Sequence, residues 1–473
     1  METARKIMKA LEAAGYEVYI VGGAVRDIVR GSQPVDIDLT TSAIPEEIVA
    51  ISARQGWRAI TVGAAFGVVI IVAGDHNYEV ATFRSERYGT DSHRPETVEL
   101  GVSLAEDLAR RDFTINAMAM GTDGRIIDLF GGQEDLAAGI IRTVGNPHER
   151  FAEDGLRMFR AARFAARLGF NLESGTMAAI SANLGRVSGL SVERVRTEIE
   201  KTLIADFSSQ GFGVLLKTGL LGAKCQAKEQ GKAYAVPILP ELEHLSGLPQ
   251  NPKYHLYDAW RHTLATVELI PPEAVLRWSA LLHDVAKGWP GVRTMNREGQ
   301  PSDPGHDKAG AKAAAAILAR LRVERQMVER VEWLIRNHLV FPEAERKAVL
   351  RWLKRLAGDF KNCSQFNAAL VQLFTLHQAD RLAGHTQSDM AGLKAVREIA
   401  SEILLEVPFF PAQLRLSGQE IAAKIGGGPG VGRFQQNLLE RIQAGRLNNT
   451  HAALTAALDA RVRRMFIKQQ ECF

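Results

Sequence analysis

The sequence predicts an α+β protein: a small mixed-sheet domain at the N-terminus, then a long all-helical remainder. Three observations predict it. Alternating apolar runs separated by glycine turns fill the first ~145 residues, as half-buried strands require. After about residue 146 the apolar spacing becomes helical, with no further convincing strand. The length, 473 residues, exceeds one ordinary domain and points to roughly three.

The elements follow in order. METARKIMKALEAAGYEV reads as an amphipathic helix running into a strand at 17–21. Gly22-Gly23 turns the chain into a helix carrying Arg26 and Asp27. Val35-Asp36-Ile37-Asp38-Leu39 alternates as a strand. Ser42 and Pro45 open the next helix. GVVIIVAG (67–74) and NYEVATF (77–83) form a hairpin around Gly74-Asp75. Residues 84–111 are polar and charged and predict a mobile stretch. Residues 231–253 read as an irregular connection, and GGGPGVG (426–432) interrupts the last helical segment.

Composition narrows the classes. A hydrophobic content of 46% fits a globular protein with ample core. No apolar run approaches the ~20 residues of a membrane-spanning helix, and the N-terminus does not read as a signal peptide. Cys225, Cys363 and Cys472 are isolated, which suggests a reducing compartment. The expectation is a cytoplasmic protein without a membrane partner. The net charge of +4 permits an anionic partner.

Within this frame, two carboxylates stand out. Asp36 and Asp38, i and i+2 on a strand, share one face about 6.6 Å apart. Such a pair suits two metal ions ~3.5–4 Å apart, which activate an attacking hydroxyl and steady a leaving pyrophosphate. Glu79, on the neighbouring strand, is a candidate third carboxylate, or else a surface residue. Gly22-Gly23 before a helix fits a phosphate cradle, with Gly23 exposing backbone N–H and Arg26 adding a forked donor. The competing readings are a plain chain turn and a solvated pair of aspartates.

GGAVRD with DIDL, then RRDFTINAMA (110–119), then EDGLRMFRAARF (153–164) resemble the bacterial tRNA nucleotidyltransferase and poly(A) polymerase family. This is the class II branch of the polymerase-β-like superfamily. The resemblance extends over GGQEDLAAGIIRTVGNPHERF (131–151), an HD-like region beyond residue 262, and LSGQEIAAKIGGGPGVG (416–432). It implies a polymerase-β-like nucleotidyltransferase sheet as catalytic head (1–145). A helical neck (146–210), an HD-like body (211–395) and a tRNA-binding tail (396–473) would follow. Gly23 and Arg26 would bind the triphosphate, Asp36 and Asp38 would hold Mg²⁺, and Arg111, Asp112 and Asn116 would face the nucleotide sugar and phosphates. Arg160 and Arg163 would complete the nucleotide site; Arg163, nine residues past Asp154, owes its role to the resemblance. The segment 84–110 is where switching between C and A is expected.

Base choice has its own chemistry. Glu153-Asp154 reads as a helix start, with Asp154 and Arg157 adjacent on its surface at i and i+3. A carboxylate accepts hydrogen bonds and a guanidinium donates them. Cytosine and adenine both present an amino group beside an unprotonated ring nitrogen, whereas uracil and guanine present a carbonyl beside a ring N–H. One Asp/Arg pair therefore accepts C and A and rejects U and G. A plain salt bridge is the competing reading.

In the body, His262, His283-Asp284 and Asp380, with His306 and His338 nearby, resemble the HD phosphohydrolases. There such residues bind a divalent metal (Mn, Ni or Co) and activate water. An inactive inherited scaffold is the alternative, and His255, His377 and His385 fit no pattern. The tail, 414–473, carries nine Lys/Arg against four Asp/Glu, a balance suited to an RNA backbone.

The combined expectation is an RNA 3′-end nucleotidyltransferase that adds or repairs CCA on tRNA from CTP and ATP, as a monomer or homodimer. A CC-adding, A-adding or poly(A)-adding enzyme shares the motifs. An HD-type phosphodiesterase or phosphatase and a non-catalytic RNA-binding factor are the rivals of other classes, disfavoured by the intact Asp36, Asp38, Asp154 and Arg157.

Overall fold

A computed structural model describes residues 1–88, 95–384 and 390–470. The chain divides into two compact units. One holds Met1–Leu248, Pro271–Trp278 and Ala315–Val328; the other holds Pro249–Ile270, Ser279–Ala314 and Glu329–Phe473.

The first unit begins with helix α1 (Glu2–Ala13), which buries Ala4, Ile7, Met8 and Leu11 at helical spacing. Strand β1 (Val18–Val21) leads through Gly22 into helix α2 (Gly23–Val29). Strand β2 (Asp38–Thr41) and helix α3 (Pro45–Arg54) follow. Pro45 takes the first helical position as expected, but Ser42 is not the cap: its hydroxyl accepts the Glu17 N–H, and Glu47 accepts the Ile44 N–H. Then come β3 (Arg58–Ile60), β4 (Val68–Ala73) and β5 (His76–Thr82). The expected β4–β5 hairpin forms, with Ala73 opposite His76. Alternate residues Val69, Ile71 and Val80 are buried, and their β-branched side chains suit a strand packed on one face.

The charged stretch after Phe83 is not a loop. Its described part forms a hairpin, β6 (Arg84–Tyr88) with β7 (Pro95–Leu100), then helix α4 (Leu104–Ala109). Residues 89–94 of the expected base-switching segment lie outside the described residues. The misreading has a physical cause: the charges are paired. Glu86, only 8% exposed, lies 3.0 Å from both Arg84 and Arg110.

Strands β8 (Met118–Met120) and β9 (Ile126–Asp128) complete a seven-stranded sheet ordered β3-β4-β5-β2-β1-β8-β9. The β2–β5 pair is parallel, and the other neighbours are antiparallel. Helix α5 (Gly132–Ala138) caps the sheet domain, and α6 (Pro147–Glu153) and α7 (Leu156–Leu168) open the helical part.

Two further departures concern the helical part. Glu153-Asp154 does not begin a helix: Glu153 ends α6 and Asp154 is extended (φ −140°, ψ 106°). Gly155 lets the chain just after the break approach Arg186 closely, since a Cβ there would meet the Arg186 carbonyl oxygen at 3.1 Å. The first unit also carries an antiparallel hairpin, Lys224–Glu229 with Lys232–Pro237, where only helices were expected. Its two-residue turn, Gln230-Gly231, has positive φ at both positions, the geometry that matches strand twist.

The second unit is helical, with a small hairpin at 294–302. Its long helices include Ala259–Leu269, Arg346–Ala357, Cys363–Ala383 and Met390–Glu406. Beyond them, Leu416, Ile421, Phe434, Leu438, Leu454 and neighbours form a separate core cluster. Pro429 of GGGPGVG starts the helix Pro429–Gln443. Among the described residues, no helix is long and apolar enough to cross a membrane.

Candidate active site

In the first unit a cleft of about 710 Å³ opens above the C-terminal end of β1 and the start of β2, lined by nine arginines and five acidic residues. That excess of positive charge suits a polyanion.

Asp38 opens β2 and lies across the register from Glu79 on β5, the two alternating with the buried Leu39 and Val80. Solvent reaches Asp38 from the cleft, while protein walls its other sides. That shielding, with the charges of Glu79 and Asp36, raises its carboxyl above the usual range; Arg111 opposes the shift. Asp36 is not on the strand: it sits exposed in the bend leading into β2. The i, i+2 strand argument therefore fails, and the neighbour on Asp38's sheet face is Glu79. The three crowded carboxylates repel one another, and a divalent cation relieves such repulsion. The donor set, all oxygen, fits Mg²⁺.

The Gly22-Gly23 turn gives room to arginines. Gly22 has φ +69°, and a Cβ there would lie 3.2 Å from Arg111 Nη1; a Cβ on Gly23 would lie 3.3 Å from Arg26 Nη2. Arg26 is not a free fork. It is 2% exposed, donates to Asp27 at 2.8 and 3.0 Å and to Asn116 Oδ1 at 2.8 Å, and so backs the turn from below. Asp112 accepts from Arg160 Nε at 2.7 Å and from Asn116 Nδ2 at 3.3 Å. Burial opposes ionisation of Asp112, but Arg160 outweighs it and holds the carboxyl below its ordinary range. Arg111 pairs with Asp107 at 3.3 Å, and Arg163 with Glu198 at 3.2 Å. Arg163 also lies 4.7 Å from the centre of the Phe164 ring, which lines the cleft.

Asp154 and Arg157 both line the cleft, yet they belong to different segments and hold different partners. Arg157 donates to Glu153 at 2.5 Å and to the backbone oxygens of Arg150 and Arg110 at 3.2 and 2.9 Å. Asp154 accepts from Leu156 N–H at 3.0 Å and from Arg194 at 3.4 Å. The expected i, i+3 helix neighbours are thus corrected to a carboxylate in a helix break and a guanidinium in the next turn. Arg194, on the helix Val192–Leu203, was missed, as were Arg110 and Glu86. Only the alternating charges of SVERVRTEIE hint at Arg194; nothing local signals the other two.

The second unit gathers His262, His283, Asp284, His306, His338 and Asp380, five of the six under 9% exposed and Asp380 partly buried. Each imidazole presents Nδ1 to a backbone carbonyl: His262 to Ala383 (3.3 Å), His283 to Ala280 (2.7 Å), His306 to Asp303 (2.6 Å) and His338 to Ile335 (2.6 Å). A carbonyl only accepts, so Nδ1 carries the hydrogen and Nε2 faces the cluster, the orientation that a backbone carbonyl gives a metal-binding imidazole. The Nε2 atoms of His283, His306 and His338 are buried without a hydrogen-bond partner. Burial disfavours the charged form of His283, but Asp284 and Asp380 outweigh it and push it up to about 10. The cluster calls for positive charge, and its residues fit a divalent metal. His255, which matched no pattern, packs edge-on against His262 with ring centres 4.6 Å apart. His377 packs edge-on against Phe341 in the core. His385 and Cys472 lie outside the described residues.

Comparison with known proteins bears on both sites. Residues 18–142 match the family described as "Poly A polymerase head domain". Residues 169–223 match "Probable RNA and SrmB- binding site of polymerase A", and 258–382 match "HD domain". A CCA-adding enzyme of Geobacillus thermodenitrificans (strain NG80-2) is 38% identical over 356 residues, covering 69% of this chain and 86% of the relative. The chain belongs to the CCA-adding enzyme family. Membership makes it a nucleotidyltransferase. A second CCA-adding enzyme, from Geobacillus sp. (strain WCH70), is 46% identical over 214 residues, about half of each chain (45% and 52%). Among solved structures, the Bacillus stearothermophilus CCA-adding enzyme in complex with CTP aligns over 98% of both chains. Its TM-score is 0.67 and its identity 27%.

Proposed function

We propose that this chain adds or repairs the 3′-terminal CCA of tRNA from CTP and ATP without a nucleic-acid template. The observation that carries the reading is the cleft, lined by Asp38 and Glu79 and by arginines from three helices and the segments between them. It belongs to a chain aligned over most of a CCA-adding relative.

Asp36 and Asp38, with Glu79, would hold Mg²⁺, which when bound offsets the charge on the reacting phosphate and the leaving pyrophosphate. Arg26 and Arg111 back the Gly22-Gly23 turn, whose N–H groups face the triphosphate. Asn116 and Asp112 position the ribose. Asp154 accepts from the base amino group and Arg157 donates to the ring nitrogen; each exchanges a present partner, Arg194 or Glu153, for the base. The neck and the basic tail grip the tRNA backbone and position it without reading sequence. The same residues would serve CC-only, A-only or poly(A) addition. The test is incubation of tRNA lacking CCA with each labelled NTP singly and in mixture, resolved at single-nucleotide length. Addition that halts at CC, or continues past A, replaces the reading by one of these.

A second reading has its own observation, the unpartnered Nε2 atoms in the body. There the HD cluster holds a divalent metal and hydrolyses a phosphoester, such as a 2′,3′-cyclic phosphate. Assay across Mn²⁺, Co²⁺ and Ni²⁺ tests it, and no metal-dependent hydrolysis in any of them sinks it.

A further inference from the structure

Nucleotide and metal account for much of the cleft wall, but not for Phe66. It is 59% exposed and lines the cleft. Single exposed apolar side chains are ordinary on open surface. This one stands in a cleft lined mainly by arginines and acidic residues. The cleft's other aromatic, Phe164, is 4% exposed, and the guanidinium groups of Arg26, Arg160 and Arg163 lie 5.6, 5.6 and 4.7 Å from its ring centre. Phe164 is packed into the protein; Phe66 offers its ring to a ligand.

The backbone holds Phe66 in place. It ends the short helical turn Ala64–Phe66, and its N–H donates to the Gly63 oxygen at 2.9 Å. Its own carbonyl oxygen accepts from Arg84 Nη1 at 2.6 Å. The Thr82 N–H, on β5, donates to the Gly67 oxygen at 2.7 Å. An aromatic ring on an anchored turn costs little ordering when it is used, which is the benefit of preorganisation.

Sheet order places Phe66 relative to the chemistry. Strand β2, which opens with Asp38, stands between β1, which leads into the Gly22-Gly23 turn, and β5 with β4. Phe66 comes two residues before β4, whose Val68 and Ile70 pair with Ala81 and Glu79. Relative to Asp38, the glycine turn is on one side and Phe66 on the other. In phosphoryl transfer the attacking and leaving oxygens lie roughly in line, on opposite sides of the reacting phosphorus. With pyrophosphate at the Gly22-Gly23 turn, the RNA 3′-hydroxyl arrives from the β5–β4 side.

We propose that Phe66 is the platform on which the last base of the RNA stacks, so that its 3′-hydroxyl is held beside Asp38 and Glu79. This role rests on the reading of the cleft as the place where an RNA 3′ end is extended. Stacking suits the task because the terminal base changes as nucleotides are added, and the base before CCA differs among tRNAs. Every base has a π-face, so an aromatic ring accepts them all. Hydrogen-bonding side chains would choose among them. Phe66 therefore positions the acceptor without reading it, and selection stays with the incoming nucleotide at Asp154 and Arg157.

The test is a cycle between protein and RNA, run on the full chain. One substrate is tRNA lacking CCA; the other is the same RNA with its last nucleotide abasic. For each, the KM of the RNA, the KM of CTP and, without nucleotide, the Kd of the RNA are measured. Removing the base should weaken RNA binding to the wild type by roughly 10-fold, within the range of one base–aromatic stack. Phe66→Ala and Phe66→Leu should weaken binding of the intact RNA by a similar factor, with less than about twofold further loss on the abasic RNA. Phe66→Trp should restore the wild-type pattern, and the KM of CTP should stay within about twofold throughout. Losses that multiply between Phe66→Ala and the abasic RNA overturn the platform, because the ring and the base then act independently. A rise in the KM of CTP with that of the RNA unchanged also overturns it and assigns the ring to the incoming nucleotide. In both cases addition to tRNA leaves the reading of the cleft standing; a chain that neither binds nor extends tRNA overturns that reading and the platform with it.

Discussion

The head cleft and the body cluster solve opposite electrostatic problems. In the cleft, cations are answered one by one: Arg26 by Asp27, Arg111 by Asp107, Arg157 by Glu153, Arg160 by Asp112, Arg163 by Glu198, Arg194 by Asp154. Each of these arginines has an acidic partner, and solvent enters. In the body cluster, lone pairs from four imidazoles and two carboxylates face inward, with the Lys287 ammonium as the nearby cation. The difference teaches what each site awaits. A self-paired open site is ready for a polar ligand that exchanges partners with it, as a nucleotide does. A buried site of acceptors is ready for a cation.

The largest expected effect breaks the comparison at its one shared feature, carboxylates crowded together. Asp38→Ala should lower nucleotide addition by ~10³-fold or more, the scale of losing one centre of transition-state charge stabilisation. Binding of tRNA, measured by filter retention, should stay within about twofold, because the proposed backbone contacts lie in the neck and tail. Normal addition would remove the carboxylate metal site from the head.

His283→Ala with Asp284→Ala should abolish metal-dependent phosphoester hydrolysis by the body and leave CCA addition unchanged. Parallel assays on one preparation separate the two units, and a joint loss would show that they are not chemically independent.

Base selection sharpens the partner-exchange idea. Asp154→Ala should lower kcat/KM for CTP and ATP by ~10²-fold and raise UTP and GTP relative to them, since an unpaired polar group is what rejects the wrong base. Arg157→Ala should weaken CTP and ATP together. If Asp154→Ala scales all four nucleotides equally, its contact with Arg194 is structural and the base is read elsewhere.

The smallest effect concerns the internal pairs themselves. Asp112→Asn should cost about 1.5–3 kcal/mol at pH 7, the worth of a charged hydrogen bond. Because the folded carboxyl lies below its unfolded value, this stability is present above about pH 4 and is lost as pH falls through the folded value. Urea unfolding at pH 7 and pH 3 should therefore show the gap between wild type and variant closing in acid.

The strands β1, β4 and β5 and helix α1 were legible because apolar periodicity is a local signal. The charged hairpin β6–β7 was not, because Glu86 and Arg84 are buried by a partner, Arg110, that is close only in space. Gln230-Gly231 hid a second hairpin because its turn depends on backbone angles that composition signals weakly. Among the candidate site residues, Asp38, Arg157 and the His283-Asp284 pair could be singled out by residue type and spacing. Arg194 and His255 could not.

By itself, the sequence determined the inventory: which carboxylates, guanidinium groups and imidazoles exist, and in which order of elements they occur. Chain-local physics, periodicity and turn chemistry, suffices for that. Tertiary structure decided the pairing: Asp38 with Glu79 instead of Asp36 on a common strand, Asp154 with Arg194 instead of Arg157, and Asp284 between two sets of histidines. Hydrogen bonds and ion pairs act over about 3–4 Å in space and are indifferent to separation along the chain. A partner 40 residues away, as Arg194 is from Asp154, is therefore fixed only when the segments that carry both have packed.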